Sequence, residues 1–477
     1  MMRIRLGVTV VLAAGLPLAA QPCTPGWDTT IGTVGIAGGY AGPARLWNDG
    51  NGERLYIGGS FGSAGGSGAN AFLTRWNRAT NTFSPVGGGL SGGFTNGFLT
   101  AILPFTPSGG GGERLVVAGF FDNAGGVPQT ASLAMWNGSA WQAMGTTWTG
   151  NTRGSIWSMA TWNGRLYVGG GVVNTQQPPA PPGMGYPIGG APWAGLASWD
   201  GQEWESHIAS ITGFSPYVGA LAVFNDGSGE ALYAAGRFTG INGVTGTGLI
   251  ARWNGTAWSS LASGLTSTSS TTGLEAMTIF DDGTGPALYV AGGTFFGSGL
   301  PVCNVAKWNG NTWTSLGGQL GTGRLTSIAA FDDGGGTKIY IGGTAMVPIN
   351  QFARWENGQW ASVDGGFTGS AIPPSNFPSV FGLAVAANRL VVAGNFVAAG
   401  GMTANGLVER TSCPTACYPN CDGSTTPPAL NIADFICFNN QYAAGNSYAN
   451  CDASTTPPVL NVADFICYLN AYAAGCS

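Results

Sequence analysis

Short apolar strands ending in small residues recur along most of the chain. The clearest reads Leu55-Tyr-Ile-Gly-Gly, Leu115-Val-Val-Ala-Gly, Leu166-Tyr-Val-Gly-Gly, Leu232-Tyr-Ala-Ala-Gly, Leu288-Tyr-Val-Ala-Gly, Ile339-Tyr-Ile-Gly-Gly and Leu390-Val-Val-Ala-Gly, with successive starts 51 to 66 residues apart. Each copy follows a small apolar strand and a tight turn, as in Ala220-Leu-Ala-Val-Phe-Asn-Asp-Gly and Ala329-Ala-Phe-Asp-Asp-Gly. Asp-Gly between two such strands signals a hairpin. A third strand then finishes in tryptophan, at Trp76, Trp136, Trp199, Trp253, Trp308 and Trp355. After a turn, often Asn-Gly, a fourth strand opens with Trp141, Trp204, Trp258, Trp313 or Trp360.

Four short antiparallel strands per unit, repeated radially, predict an all-β, seven-bladed β-propeller over residues 21–410. The tryptophans are expected to fill the sandwich between neighbouring sheets, and the glycines to allow close backbone approach and turns with positive φ. In the seventh unit the third strand, Gly406-Leu-Val-Glu-Arg, has no aromatic fourth strand after it. Its counterpart sits at the other end of the chain, in Pro25-Gly-Trp-Asp-Thr-Thr-Ile-Gly-Thr-Val-Gly. An N-terminal strand is therefore expected to close the ring and remove two exposed sheet edges. Cys23 lies before that strand and Cys413 after Arg410, so a disulfide across the closure is expected.

The units resemble kelch-like and tryptophan-aspartate-repeat propellers in general form. More closely, Phe-x-x-Ala-Gly-Gly followed by Ala-Arg-Trp-Asn-Gly-x-x-Trp looks like repeats of large secreted bacterial propeller proteins of unassigned activity. That resemblance covers residues 25–410. It implies a fold and almost no chemistry.

Arg3 and Arg5 lead an apolar run, Leu6 to Ala19, and small residues precede Gln21. Residues 1–20 read as a secretory signal, because a run of about 14 residues is short of the roughly 20 that span a bilayer. The mature chain is expected outside the cytoplasm with no membrane span, where cysteines oxidise. Glycine at 83 of 477 residues, together with 17 tryptophans and no strict three-residue period, excludes collagen and disorder. Charged residues are 8%, 17 basic against 22 acidic, so no basic stripe exists to neutralise a phosphate backbone. Nucleic acid is not an expected partner.

Composition changes after Arg410. Seven of the nine cysteines follow it, and a second repeat appears with a period of 30, from Asn420-Cys-Asp-Gly-Ser-Thr-Thr-Pro-Pro-Ala-Leu-Asn-Ile-Ala-Asp-Phe-Ile-Cys to the matching stretch at Asn450. Each copy leads into a predicted short helix ending at Ala-Ala-Gly. Oxygen-bearing residues at alternate positions, closed by an Asp that opens a helix, suit a hard calcium ion.

The paired copies resemble dockerin modules, most closely the cysteine-containing dockerin-like tails of secreted planctomycete-type proteins, and define residues 411–477 as a separate module. The resemblance implies two calcium sites: Asn420, Asp422, Ser424 and Asp434 with Asn431 acting through water, and Asn450, Asp452, Ser454 and Asp464 with Asn461 likewise. Two departures weaken the match: Thr-Thr-Pro-Pro lengthens each loop by about three residues, and a neutral Asn stands first where Asp is usual. A disulfide-stapled helical hairpin whose Asn and Asp only cap turns stands as the other reading. Expected bridges are Cys421 with Cys437, Cys451 with Cys467, and Cys417 with Cys476, leaving Cys303 as a buried thiol. Ile432 with Ala433, and Val462 with Ala463, match the dockerin positions that face a cohesin partner. They equally suit the module's own core.

One histidine, His207, leaves no Ser-His-Asp, Cys-His or multi-histidine site. It is expected at an exposed or sheet-edge position. Asp226, Asp281, Asp282, Asp332 and Asp333 fall in equivalent hairpins, where turn formation accounts for them. Glu203 and Glu205 are assigned to the outer edge. Glu275 alone lies in an expected inner strand, where it is a weak catalytic candidate facing the channel, and one acid is not a glycosidase pair. The expectation is a non-enzymatic binding or scaffold protein with possible polysaccharide contact at the ring face. The competing class is an extracellular glycoside hydrolase or polysaccharide lyase carrying the same tail.

Overall fold

The computed structural model describes residues 25–92, 97–145, 155–171, 185–188, 191–321, 323–334, 336–344, 349–370, 378–386, 388–412, 421, 432–443, 464–466 and 468–469. The chain divides into two compact units, Gly26–Ser412 and a smaller one of Met1–Pro25 with Cys413–Ser477. Among the described residues no helix is long and apolar enough to cross a membrane.

The large unit is mostly β. Its strands form seven four-stranded antiparallel sets, two of them joined into one eight-stranded sheet through the pair Gly171↔Tyr217. The first strands are Tyr40–Asn48, Phe98–Phe105, Ser155–Trp162, Tyr217–Asn225, Leu274–Asp281, Leu325–Asp332 and Ser379–Ala386. Each packs beside the first strand of the next set, and Ser379–Ala386 packs beside Tyr40–Asn48. The repeated apolar run is the second strand in every set, buried almost throughout because both faces of the sheet are covered. In the seventh set the fourth strand is Trp27–Asp28, with Trp27 opposite Arg410 and Asp28 opposite Glu409. Asn-Gly and Asp-Gly turns make these hairpins tight: Asn225 and Asp281 accept the N–H groups of Gly227 and Gly283 at 3.0 and 2.9 Å.

The tryptophans that end third strands and open fourth strands face one another across the hairpin, as in Trp253↔Trp258 and Trp308↔Trp313. Their ring centroids lie 5.3 Å apart in both pairs. The fourth-strand indoles also reach the preceding set. Trp204 donates to the Met144 carbonyl, Trp258 to that of His207 and Trp360 to that of Leu316, each at 2.8 Å. Burial of the rings and satisfaction of the indole N–H thus come from two different neighbours.

Four hairpins carry a further device. Asp49, Asp226, Asp282 and Asp333 turn inward and accept the hydroxyls of Tyr56, Tyr233, Tyr289 and Tyr340 at 3.1, 2.7, 3.0 and 2.6 Å. Each also pairs with a third-strand cation: Arg75, Arg252, Lys307 or Arg354. Turn formation therefore accounts for Asp281 and Asp332, whereas Asp226, Asp282 and Asp333 also lock the sheet. Burial alone would raise these carboxyl pKa values. Hydrogen bonds and the adjacent cations outweigh it, holding Asp282 at about 2 and lowering the others.

In the smaller unit, helix Ile432–Ala443 carries Asp434 in its first turn. Asp434 and Asp464, one repeat apart, are both fully buried. Phe438 and its repeat counterpart Tyr468 stack with centroids 3.8 Å apart and planes 9° from parallel, and Phe435 meets Phe465 at 6.0 Å. A disulfide joins Cys421 to Cys437. The expectations for residues 1–20, for Cys23, Cys413, Cys417, Cys451, Cys467 and Cys476, for Asn420, Asp422, Ser424, Asn431, Asn450, Asp452, Ser454 and Asn461, and for Val462 and Ala463 concern positions outside the described residues.

Candidate functional site

All seven first strands break register near their start. The pairing with the second strand skips Gly42 and Pro43, Thr100, Trp157, Gly219, Glu275, Thr326 and Phe381 in turn. Such bulges re-aim the unpaired residue away from the ladder. They also explain the glycine that ends the repeated second strand. A Cβ on Gly236 would lie 2.0 Å from the Tyr217 carbonyl oxygen, and one on Gly343 2.1 Å from that of Arg324. Only glycine admits the first strand this closely.

The residues released at all seven bulges line one cavity of about 450 Å³. A second, of about 290 Å³, adjoins it and shares Trp157, Glu275 and Arg324. Thr100 and Thr326 tie the rim together, donating to the carbonyls of Ile156 and Val380 in the next set at 2.6 and 2.5 Å. Glu275 is the one carboxylate among the described lining residues of both cavities. Its Oε1 accepts the Tyr217 hydroxyl at 2.5 Å and pairs with Arg324. Burial, reinforced by the Glu275 charge, pushes the Tyr217 phenol well above its usual pKa. Burial opposes the charge on Arg324, but Glu275 more than offsets it and raises the guanidinium pKa further.

Aromatic rings make up the remaining walls. Phe98 stacks on Phe120 with centroids 4.6 Å apart, and Trp157 lies 6.0 Å from both Phe98 and Tyr217. Tyr40 and Phe381 meet at 4.7 Å elsewhere on the rim. Trp157 is 38% exposed and Arg324 43% exposed, so an apolar face and a charged group are both open to a ligand. The arrangement suits a ligand with one apolar and one hydroxylated side.

Sequence reasoning singled out Glu275 and missed Trp157, Tyr217 and Arg324. For Trp157 the signal is the strand-terminal glycine, which marks the bulge but not the side chain released opposite it; Tyr217 and Arg324 lie just before the bulges of their sets. His207 is half-buried rather than exposed: its ring lies between Tyr167 and Trp253 at 5.3 and 5.4 Å, and its Nε2 bonds Ser198 Oγ at 2.8 Å. Trp258 of the next set holds its backbone by donating the indole N–H to the His207 carbonyl. Burial lowers its pKa. Ser198 is fully buried and already bonded by Arg165 at 2.7 Å, so its hydroxyl is closed to solvent. Glu205 is 61% exposed beside Arg165. In the small unit Ile432 is 70% exposed, and Ala433 is exposed as well.

No family model and no curated protein matches the chain. Among solved structures it is similar to the extracellular domain of BT4673, assigned to a hybrid two component system, from B. thetaiotaomicron. Sequence identity is 12% and the TM-score 0.33, with 67% of this chain aligned over 39% of that structure's length.

Proposed function

We propose that the seven sets are the blades of a closed β-propeller, completed by Trp27–Asp28, and that the protein is a secreted, non-enzymatic carbohydrate-binding scaffold. The observation that carries this reading is the convergence of all seven bulges on one cavity. Repeated architecture supplies a similar backbone, and the bulges place a varied set of side chains, among them Trp157, Glu275, Thr326 and Phe381, around one mouth. Aromatic faces such as Trp157 stack on sugar C–H surfaces, while Arg324, Thr326 and Glu275 meet hydroxyls. Hydrolysis by a carboxyl pair needs two acids roughly 5 to 10 Å apart. Glu275 stands alone among the described lining residues and is already held by Arg324 and Tyr217.

The tail is a dockerin-like module that anchors or assembles the propeller through a cohesin-like or other surface protein. Two of its ten calcium-ligand candidates are described, Asp434 and Asp464, and both are fully buried at repeat-equivalent positions. Acids at matched positions of the two repeats, Asp434 in the first turn of its helix, fit the carboxylate that closes a calcium loop. Calcium there would tie loop to helix and leave the exposed Ile432 and Ala433 for the protein partner.

The test is retention of the full secreted chain on an immobilised polysaccharide panel, with reducing ends assayed in parallel. Retention without release, lost in Trp157→Ala, is expected. Release abolished by Glu275→Gln would establish the enzyme class instead.

A further inference from the structure

We infer that the mouth is one end of a longer track, and that its ligand is an extended acidic oligosaccharide running outward across Arg237 to the junction of the fourth and fifth sets. The inference rests on the proposed binding role of the mouth and adds the ligand's length, charge and direction.

Three cavities adjoin. The 290 Å³ cavity shares Arg237 with a third, of about 400 Å³, whose walls are glycines and hydroxyl side chains such as Thr239, Ser263 and Ser270. Phe214, also in that wall, is 64% exposed. An exposed ring above a hydroxyl-rich floor repeats the chemistry of the mouth at the far end of the track. A single sugar ring cannot occupy both, so the ligand has to be a chain.

Charge selects the chain. The described residues lining the three cavities include two guanidinium groups, Arg237 and Arg324, and one carboxylate, Glu275. That leaves one positive charge in excess on a protein whose formal net charge is −5. Arg237 is fixed in place: its Nε and Nη2 donate to the Ser215 carbonyl at 3.1 and 2.8 Å, its Nη1 donates to that of Thr271 at 3.0 Å, and its guanidinium lies 4.9 Å over the Tyr217 ring. Two of the roughly five N–H groups of such a side chain remain for a ligand. Arg324 is already paired with Glu275, so Arg237 carries the unmatched positive charge. A ligand carboxylate beside Arg237 meets its remaining N–H groups and balances that charge.

The experiment is calorimetric titration of the full chain with oligomers of galacturonate, of mannuronate and of uncharged glucose, from monomer to hexamer, at low and physiological salt. One acidic series is expected to gain affinity with length and to exceed the uncharged series by about fivefold at low salt, the size of a partly exposed ion pair. Phe214→Ala is expected to remove the gain from the longer oligomers and leave short ones unchanged. Equal affinity at every length, or for charged and uncharged chains at both salts, overturns the inference while loss of binding in Trp157→Ala keeps the mouth reading intact. No binding of any series, with Trp157→Ala indistinguishable from wild type, overturns both.

Discussion

Arg410, on the third strand of the seventh set, reaches Asp333 in the hairpin of the sixth at 3.2 Å, and each side chain is 2% exposed. Asp333 is simultaneously held by Tyr340 and Arg354, so one carboxylate joins two strands of its own set to the next. Arg410 in turn lies over Trp27, whose strand comes from the opposite end of the chain. Removing one member leaves buried charge uncompensated, which costs about 3 to 5 kcal/mol. Asp333→Asn is expected to lower the unfolding free energy of the large unit by that amount, seen as a lower denaturant midpoint at unchanged slope. An unchanged midpoint in urea would show that the seam does not hold the sets together.

Acid should act through the same hairpins. A folded-state carboxyl pKa below the unfolded value near 3.8 stabilises the fold above that value, and the stabilisation is lost as pH falls through the folded pKa. For Asp282 the loss runs from about pH 4 to about 2. Stability followed by intrinsic fluorescence is expected to be level above pH 5 and to fall below 4, with a shallower acid limb in Asp282→Asn. The difference for this pair is below about 1 kcal/mol, because Lys307 and Asp282 meet near solvent.

The glycine opposite each bulge gives a sharper test of the site. Gly236→Ala forces a methyl against the Tyr217 carbonyl, at a cost of about 1 to 3 kcal/mol. It should also shift Tyr217, and with it Glu275, so that glycan retention falls more than stability does. Equal losses in both would separate the glycine from the mouth.

Thiol counting bears on the cysteines. Burial pushes the Cys303 thiol up to about 12, so it should resist alkylation in the native state at pH 8. After unfolding without reductant, one label per chain is expected by mass spectrometry. A peptide map should link Cys23 to Cys413, given that Trp27 and Arg410 are paired and the two segments leave the same sheet. More than one label sinks the proposed four-bridge scheme.

Calcium removal from the full chain should loosen the tail alone. Tyrosine signals from the Phe438–Tyr468 stack are expected to change with chelator and to recover on adding calcium, and Asp434→Asn with Asp464→Asn to abolish the response. Indifference of those signals to calcium would leave the stapled-hairpin reading.

The strand count, hairpin positions and tryptophan pairs were legible in the sequence because they are local. Asp-Gly and Asn-Gly dictate the turn, alternation dictates the face, and both repeat at a period the eye can follow. The need for a borrowed strand was legible from the missing aromatic after Gly406. What the tertiary structure alone decided is which side chains share space. Trp157, Tyr217, Glu275 and Arg324 are spread over 168 positions of sequence and meet because the starts of first strands in separate sets face one mouth, with bulges releasing Trp157 and Glu275 toward it. His207 stands beside the edge strand of its set, as expected, but its burial was not legible, since its partners Tyr167 and Trp253 belong to two different sets. A repeat fixes its own backbone through near neighbours, whereas a site assembled across repeats depends on contacts no local pattern encodes.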